Sequence, residues 1–210
     1  MLFRSRHVWT QERTYSQDQI GAVSLLARLE FAGLDVGARW TDLAGYLSVR
    51  IDDTVQPFLS LQYLYGLARA GRPEAKALMS AIRAQAQDAP AFSREAWAEV
   101  ALPAADGILA YLEGRHADAV RLLGAALPRM LEIGGSHAQR DLFEQIRLAA
   151  ILADGRWGLA QQILEQRRAF EPDGVPLNQT LAKVYAALDL PVQARRAADR
   201  AARASSSSQA

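Results

Sequence analysis

Tyr111-Leu112-Glu113-Gly114-Arg115 and Leu152-Ala153-Asp154-Gly155-Arg156 are two copies of one junction. Each closes a helix-period apolar run and opens another. Ala119 and Leu122-Leu123 follow the first, and Ala160 and Ile163-Leu164 follow the second. A looser copy stands upstream, Leu67-Ala68-Arg69-Ala70-Gly71 ahead of Ala75, Ala77 and Leu78. Glycine just past a helix adopts the left-handed conformation without a Cβ clash. Pro73 then suits the first turn of the next helix, where its missing N–H costs nothing. The small alanine after each turn lets two antiparallel helices approach closely, and the leucines beyond it form shared core.

The junctions recur at roughly 40 residues, longer than the ideal tetratricopeptide period of about 34 but within the range of helix-pair repeats. Apolar periodicity of the helical kind fills most of the chain, and no stretch alternates with period two long enough to make a strand. The expected fold is therefore all-α, a tetratricopeptide-like helical-hairpin repeat solenoid, or α–α superhelix. Five pairs are expected: 17–51, broken near Gly33–Gly37; 57–87; 94–133; 136–170; and 176–204, broken at Leu190-Pro191. Pro103 and Pro128 fall inside helical patterns, so each marks either a helix start or a kink. Residues 17–204 form the expected repeat domain. Residues 205–210 are an expected disordered tail, being polar and of low complexity.

Composition limits function more than it assigns it. Half of the 210 residues are apolar and 22% are charged, the balance of a folded chain. Cysteine is absent, which excludes disulfides, thiol catalysis and cysteine-ligated metals and fits a reducing compartment; a cytoplasmic protein is expected. The net charge of +1 gives nucleic-acid binding no help, so neither a nucleic-acid nor a membrane partner is expected. No stretch reaches the about 20 apolar residues of a membrane helix. Lys76 and Lys183 are the only lysines, and arginine supplies the other basic residues, the usage of a GC-rich bacterial genome.

Residues 1–16 read as a non-native or poorly packed segment. Leu2-Phe3-Arg4-Ser5 matches the translation of a common sequencing adapter, so the chain is expected to be a fragment whose native start lies upstream. The first long helix agrees with that expectation. Ile20, Val23, Ala27 and Phe31 lie on one side of it, and Ala22, Leu25, Leu26 and Leu29 on the other, with a polar wedge at Ser24 and Arg28. A helix apolar nearly all round wants neighbours on both sides. Either a preceding unit is missing or residues 1–16 fold over it.

The most distinctive segment is Ile133-Gly134-Gly135-Ser136-His137-Ala138-Gln139-Arg140-Asp141. Gly134 and Gly135 permit a chain reversal. Ser136 and Gln139 have capping-box spacing, so these four residues read as a structural cap. His137 and Asp141 are one helical turn apart, and Arg140 stands beside them near a helix N-terminus. His137, Arg140 and Asp141 are therefore the candidate contacts for a ligand or partner. A histidine–carboxylate pair with an arginine could orient a base and bind an oxyanion. No nucleophile accompanies it, however, and Ser136 is accounted for as a cap.

These residues also carry a resemblance. Gly134 to Asp141, Leu102-Pro103 with Gly114, and Pro57-Phe58-Leu59 through Tyr63-Leu64-Tyr65 to Ala70-Gly71-Arg72 resemble the tetratricopeptide repeat protein 38 family, bacterial members included. Leu34 to Trp40, ahead of Leu43-Ala44, is similar to a further family segment. The resemblance covers about Ala22 to Phe170 and corresponds to the C-terminal half of such proteins. It implies a tetratricopeptide-like solenoid and no established reaction. Family members often carry an aspartate and a histidine where this chain has Ser60 and Gln62, so any chemistry of those residues is in doubt here.

The remaining polar and aromatic residues have plain readings. His7 and His116 have no second metal ligand at a recognised spacing, apart from acidic neighbours such as Asp118. Trp9, Trp40, Trp97 and Trp157 are expected to be interhelix anchors. Arg195, Arg196, Arg200 and Arg203, set against Asp199, complement a helix C-terminus. The reading assigns no catalytic, cofactor-binding or metal-ligating residue and no cofactor. It expects a non-catalytic scaffold that binds a protein or peptide through a concave surface. The alternative is an enzyme or small-molecule binder whose pocket a missing N-terminal half completes.

Overall fold

The computed structural model describes residues 13–207, and among them there is helix and no strand. Residues 1–12, with His7 and Trp9, and residues 208–210 of the tail lie outside the described residues. The chain separates into two compact units, Met1–Arg147 and Leu148–Ala210. The boundary between them falls inside the helix His137–Ala153.

The first unit opens with α1 (Ser16–Phe31) and α2 (Arg39–Leu47), the latter tightening into a 3-10 turn at Ser48–Arg50. α3 (Pro57–Arg69) and α4 (Glu74–Asp88) form the second pair. The third begins with α5 (Ala91–Glu95), a π-helical turn at Ala96–Ala101 and α6 (Leu102–Leu112), and returns through α7 (His116–Ala126) and a 3-10 segment at Leu127–Ile133. The two prolines left open by the sequence have different roles. Pro103 has no N–H to give the preceding turn, and the chain accommodates it by widening there, with the Leu102 N–H bonding the Trp97 carbonyl. Pro128 stands at the start of the 3-10 segment. α8 (His137–Ala153) closes the first unit with its first half and opens the second.

Burial singles out α3. Every residue from Ser60 to Leu67 is buried, and α1, α2, α4 and α6 all pack against this helix. Its N-terminal Phe58 meets Phe143 of α8 edge-on, with ring centroids 6.2 Å apart. α1 is apolar nearly all round in sequence, yet the helix buried on every side is α3. On α1, Gln19, Ile20, Val23, Leu26 and Ala27 are buried, while Leu25, Leu29 and Phe31 are half-buried. The described end of the leading segment is tied down beside it: Gln19 Nε2 donates to the Arg13 carbonyl (3.0 Å) and Arg50 to that of Thr14 (2.8 Å). Trp40 and Trp97 are buried in the same core.

In the second unit α9 (Trp157–Phe170) packs on α10 (Val175–Ala187), which packs on α11 (Pro191–Ser207). Asn178, fully buried, donates to the carbonyls of Pro172 (2.8 Å) and Gly174 (3.0 Å), and its oxygen accepts from Arg200 of α11 (2.8 Å). Among its described side chains α11 buries Ala197 and Ala201 alone, so strong helix formers and not a large core sustain it. It continues to Ser207, past the point where the disordered tail was expected to begin. The hydroxyls of Ser205 and Ser206 bond back to the carbonyls of Ala201 (2.9 Å) and Ala202 (3.0 Å), which satisfies polar groups without leaving the helix.

All five pairs are closed by the same turn. The N–H two residues past the helix cap reaches back across the last turn: Leu34 to Leu29 (3.0 Å), Arg72 to Leu67 (2.9 Å), Arg115 to Ala110 (2.8 Å), Arg156 to Ile151 (3.1 Å) and Leu190 to Tyr185 (2.9 Å). This is the Schellman arrangement, with a left-handed residue before each of those donors. Gly33, Gly71, Gly114 and Gly155 hold that place in four pairs, and Asp189, at φ 56°, holds it in the fifth. A Cβ at Gly114 would meet nothing within 4 Å, so the demand there is conformational and not steric crowding. Gly114→Ala is expected to cost about 1 kcal/mol, and Asp189→Gly to gain roughly 0.5 kcal/mol. Urea denaturation of both variants checks this, and equal shifts of the same sign would contradict it.

Candidate functional site

The Gly134–Asp141 segment sits where the 3-10 segment ends and α8 begins. Gly134 and Gly135 both take positive φ, 90° and 75°. A Cβ on Gly135 would also lie 2.8 Å from the Phe58 ring, so this glycine is needed twice over. The Ser136 N–H donates to Gln139 Oε1 (2.8 Å) and the Gln139 N–H donates to Ser136 Oγ (3.3 Å), a reciprocal pair across the first turn of α8. Two of the free N–H groups at the helix start are thereby met by side chains.

The three candidate contact residues diverge from this base. Arg140 turns back to the reversal, and its Nη1 donates to the carbonyls of Gly134 (3.3 Å) and Gly135. Asp141 turns to α1, and its Oδ2 accepts from both Arg28 Nη2 (3.3 Å) and, one turn on, Gln145 Nε2. Arg28 also donates to the Ala138 carbonyl (3.0 Å) and, on its own helix, to the carbonyl (3.3 Å) and hydroxyl of Ser24. His137 points outward, exposed, with no hydrogen bond or ion pair among the described residues. Arg140 and Asp141 are thus held as structural partners, and His137 stands apart from both. The Arg28–Asp141 pair keeps close to a third of each side chain in contact with solvent, which limits it to at most about 1 kcal/mol.

Ser60 and Gln62, the positions where the resemblance raised the question of lost chemistry, lie on the buried stretch of α3. The Ser60 hydroxyl donates to the carbonyl of Asp53 (2.6 Å), and Gln62 Oε1 has no partner among the described residues. Neutral side chains suit such a place, because a charge there would lose its hydration.

Sequence reading missed a second polar centre. Arg50, just before the loop into α3, donates through Nε to the buried Gln19 (3.1 Å), through Nη1 to Asp53 (3.3 Å) and through Nη2 to the Thr14 carbonyl. Its guanidinium lies 5.5 Å over the ring of Tyr63. Burial pushes the Tyr63 phenol above its ordinary range, which Arg50 opposes in part. The only local signal was the Arg50–Asp53 spacing, which is common on surfaces. Among the described residues no group of three or more histidine, aspartate or glutamate side chains could hold a metal ion, and no helix is long and apolar enough to cross a membrane.

No protein-family model matches the chain, and no solved structure matches it.

The geometry of the junction gives a direct test. Ser136→Ala removes one capping acceptor and is expected to cost about 1 kcal/mol. Arg140→Ala, which strips two carbonyls of a charged donor at the reversal, is expected to cost about as much. Both are read as lowered denaturation midpoints at unchanged helicity. A wild-type midpoint for Arg140→Ala would free that side chain for a ligand.

Proposed function

We propose that this chain is a non-catalytic helical-repeat scaffold that binds a protein or peptide partner. The observation that carries this reading is the engagement of Arg140 and Asp141. A site for acid–base or oxyanion chemistry would need these groups presented to a substrate, and here they brace a helix start. The recurring closing turn supports the same reading, because stacked helix pairs joined by one repeated turn are the construction of tetratricopeptide-like solenoids, whose common use is to present extended binding surfaces. The resemblance to the tetratricopeptide repeat protein 38 family is in keeping with that architecture. The absence of cysteine suits a cytoplasmic setting.

α3 is buried on every side over 60–67, so a partner reaches this part of the repeat at the helix ends and not along α3. Selection of a random-peptide display library on the purified chain is expected to enrich a related set of peptides. Their binding, followed by fluorescence anisotropy, is expected to survive His137→Ala. Failure to enrich any peptide, together with turnover of an ester or amide substrate by the same preparation, would replace the scaffold by an enzyme.

A further inference from the structure

α7 carries a glycine in its interior, Gly124, at a place where alanine would favour the helix more. Its backbone has no positive φ that would call for glycine. The reason for it lies on α8. The three atoms nearest the place a Cβ would take all belong to Arg147: Nε at 3.2 Å, Nη2 at 3.4 Å and Cζ at 3.6 Å. Three atoms of one plane at nearly one distance put the flat of the guanidinium on the glycine. Its Nε reaches the carbonyl of Val120, one turn earlier on α7, at a long 3.5 Å.

The charge seated there has no acid. Arg147 makes no ion pair, and its Nη1 and Nη2 make no hydrogen bond, among the described residues. On α7, Asp118 gives Oδ2 to Arg115 (3.0 Å) and Oδ1 to Arg121 (3.3 Å). On α8, Asp141 is taken by Arg28, and Glu144, one turn before Arg147, does not pair with it. Burial pushes the guanidinium below its ordinary range, with no neighbouring carboxylate to oppose it. A charge drawn out of water without a partner costs stability, and the glycine within the helix adds to that cost. The side chain is half-buried, yet neither Nη atom is sealed from solvent.

The geometry selects the chemistry of a partner. The face of the guanidinium rests on Gly124 and Nε is turned to α7, so the edge formed by Nη1 and Nη2 is the part left to bond. That edge offers N–H groups in one plane. A carboxylate, planar and with two oxygens, meets such an edge in a bidentate pair. Charge balance agrees. Of Arg115, Arg121 and Arg147, only Arg147 lacks an acid, so a singly charged group neutralises it where a doubly charged phosphate overshoots.

We propose that Arg147, seated on Gly124, is a partner-binding residue that takes a carboxylate of a bound peptide in a bidentate pair. The inference rests on the scaffold reading above and gives its partner a place and a chemistry. An arginine kept for binding at the expense of folding has a recognisable signature. Replacing it by an unbranched apolar side chain leaves the fold intact or firmer while binding is lost.

The test uses Arg147→Met and Arg147→Lys in the full chain, with peptides selected on the wild-type protein from a library displayed with free C termini. Arg147→Met is expected to keep or raise the melting temperature and to bind the peptides at least about tenfold more weakly, the loss of one charge-assisted pair. Arg147→Lys, which keeps the charge and loses the fork, is expected to restore only part of the affinity. The peptides are then neutralised, by amidation of the C terminus or by Gln and Asn in place of Glu and Asp. The form without the responsible carboxylate is expected to bind wild type and Arg147→Met alike, and it tells a terminal carboxylate from a side-chain one. Full affinity in Arg147→Lys would overturn the bidentate pair. Undiminished affinity in Arg147→Met, or in peptides stripped of every carboxylate, would overturn the proposal while leaving the scaffold reading in place. A lowered melting temperature for Arg147→Met would make the arginine a structural residue and overturn it as well. Failure of the wild-type chain to select any peptide would remove the scaffold reading, and this inference with it.

Discussion

The first unit depends on one helix having no outside. From Ser60 to Leu67 α3 is buried at every position, so each of its faces needs a neighbour and each of its polar atoms needs an internal solution. α1, α2, α4 and α6 supply the neighbours, and the start of α8 covers the remaining end through Phe143 and the bare backbone of Gly135. The Ser60 hydroxyl finds the Asp53 carbonyl, and the Tyr63 ring carries the guanidinium of Arg50. The outer helices can then be amphipathic, because only α3 must satisfy neighbours all round.

The repeat was legible where its turn is made by glycine. Gly71, Gly114 and Gly155 follow apolar runs closely enough to be aligned by eye, and the structure gives all three left-handed backbone angles. The fifth turn uses Asp189, whose side chain tolerates that conformation but does not advertise it, so only the following Leu190-Pro191 break was visible. The all-round burial of α3 was not legible, for a related reason. α3 carries four leucines, but Ser60, Gln62, Tyr63 and Tyr65 between them hide the burial of its other faces. Which helix is central is decided by long-range packing that local pattern does not encode.

The candidate site residues divide along the same line. The pairing of Ser136 with Gln139 could be read from a spacing of three because the partners share one helical turn. The engagement of Asp141 by Arg28 could not, since 113 residues separate them. The edge-on contact of Phe58 with Phe143 was equally hidden, as it joins helices from different pairs. His137 was singled out by its one-turn spacing from Asp141, yet it is the member of its cluster that the fold leaves exposed.

The cover over Phe58 is supplied by residues that follow it by more than a quarter of the chain. Ribosomes add roughly 5–20 residues each second, so Phe58 is made roughly 5–15 s before Phe143. During that interval the second and third pairs can close their own turns, which are local, while the N-terminal end of α3 still shows apolar surface. Translation pace and chaperone occupancy therefore bear on this chain most in the stretch between Pro57 and the start of α8. A pause placed there would prolong the period in which nascent chains can associate, whereas a pause beyond Phe143 would find that end of the helix already covered.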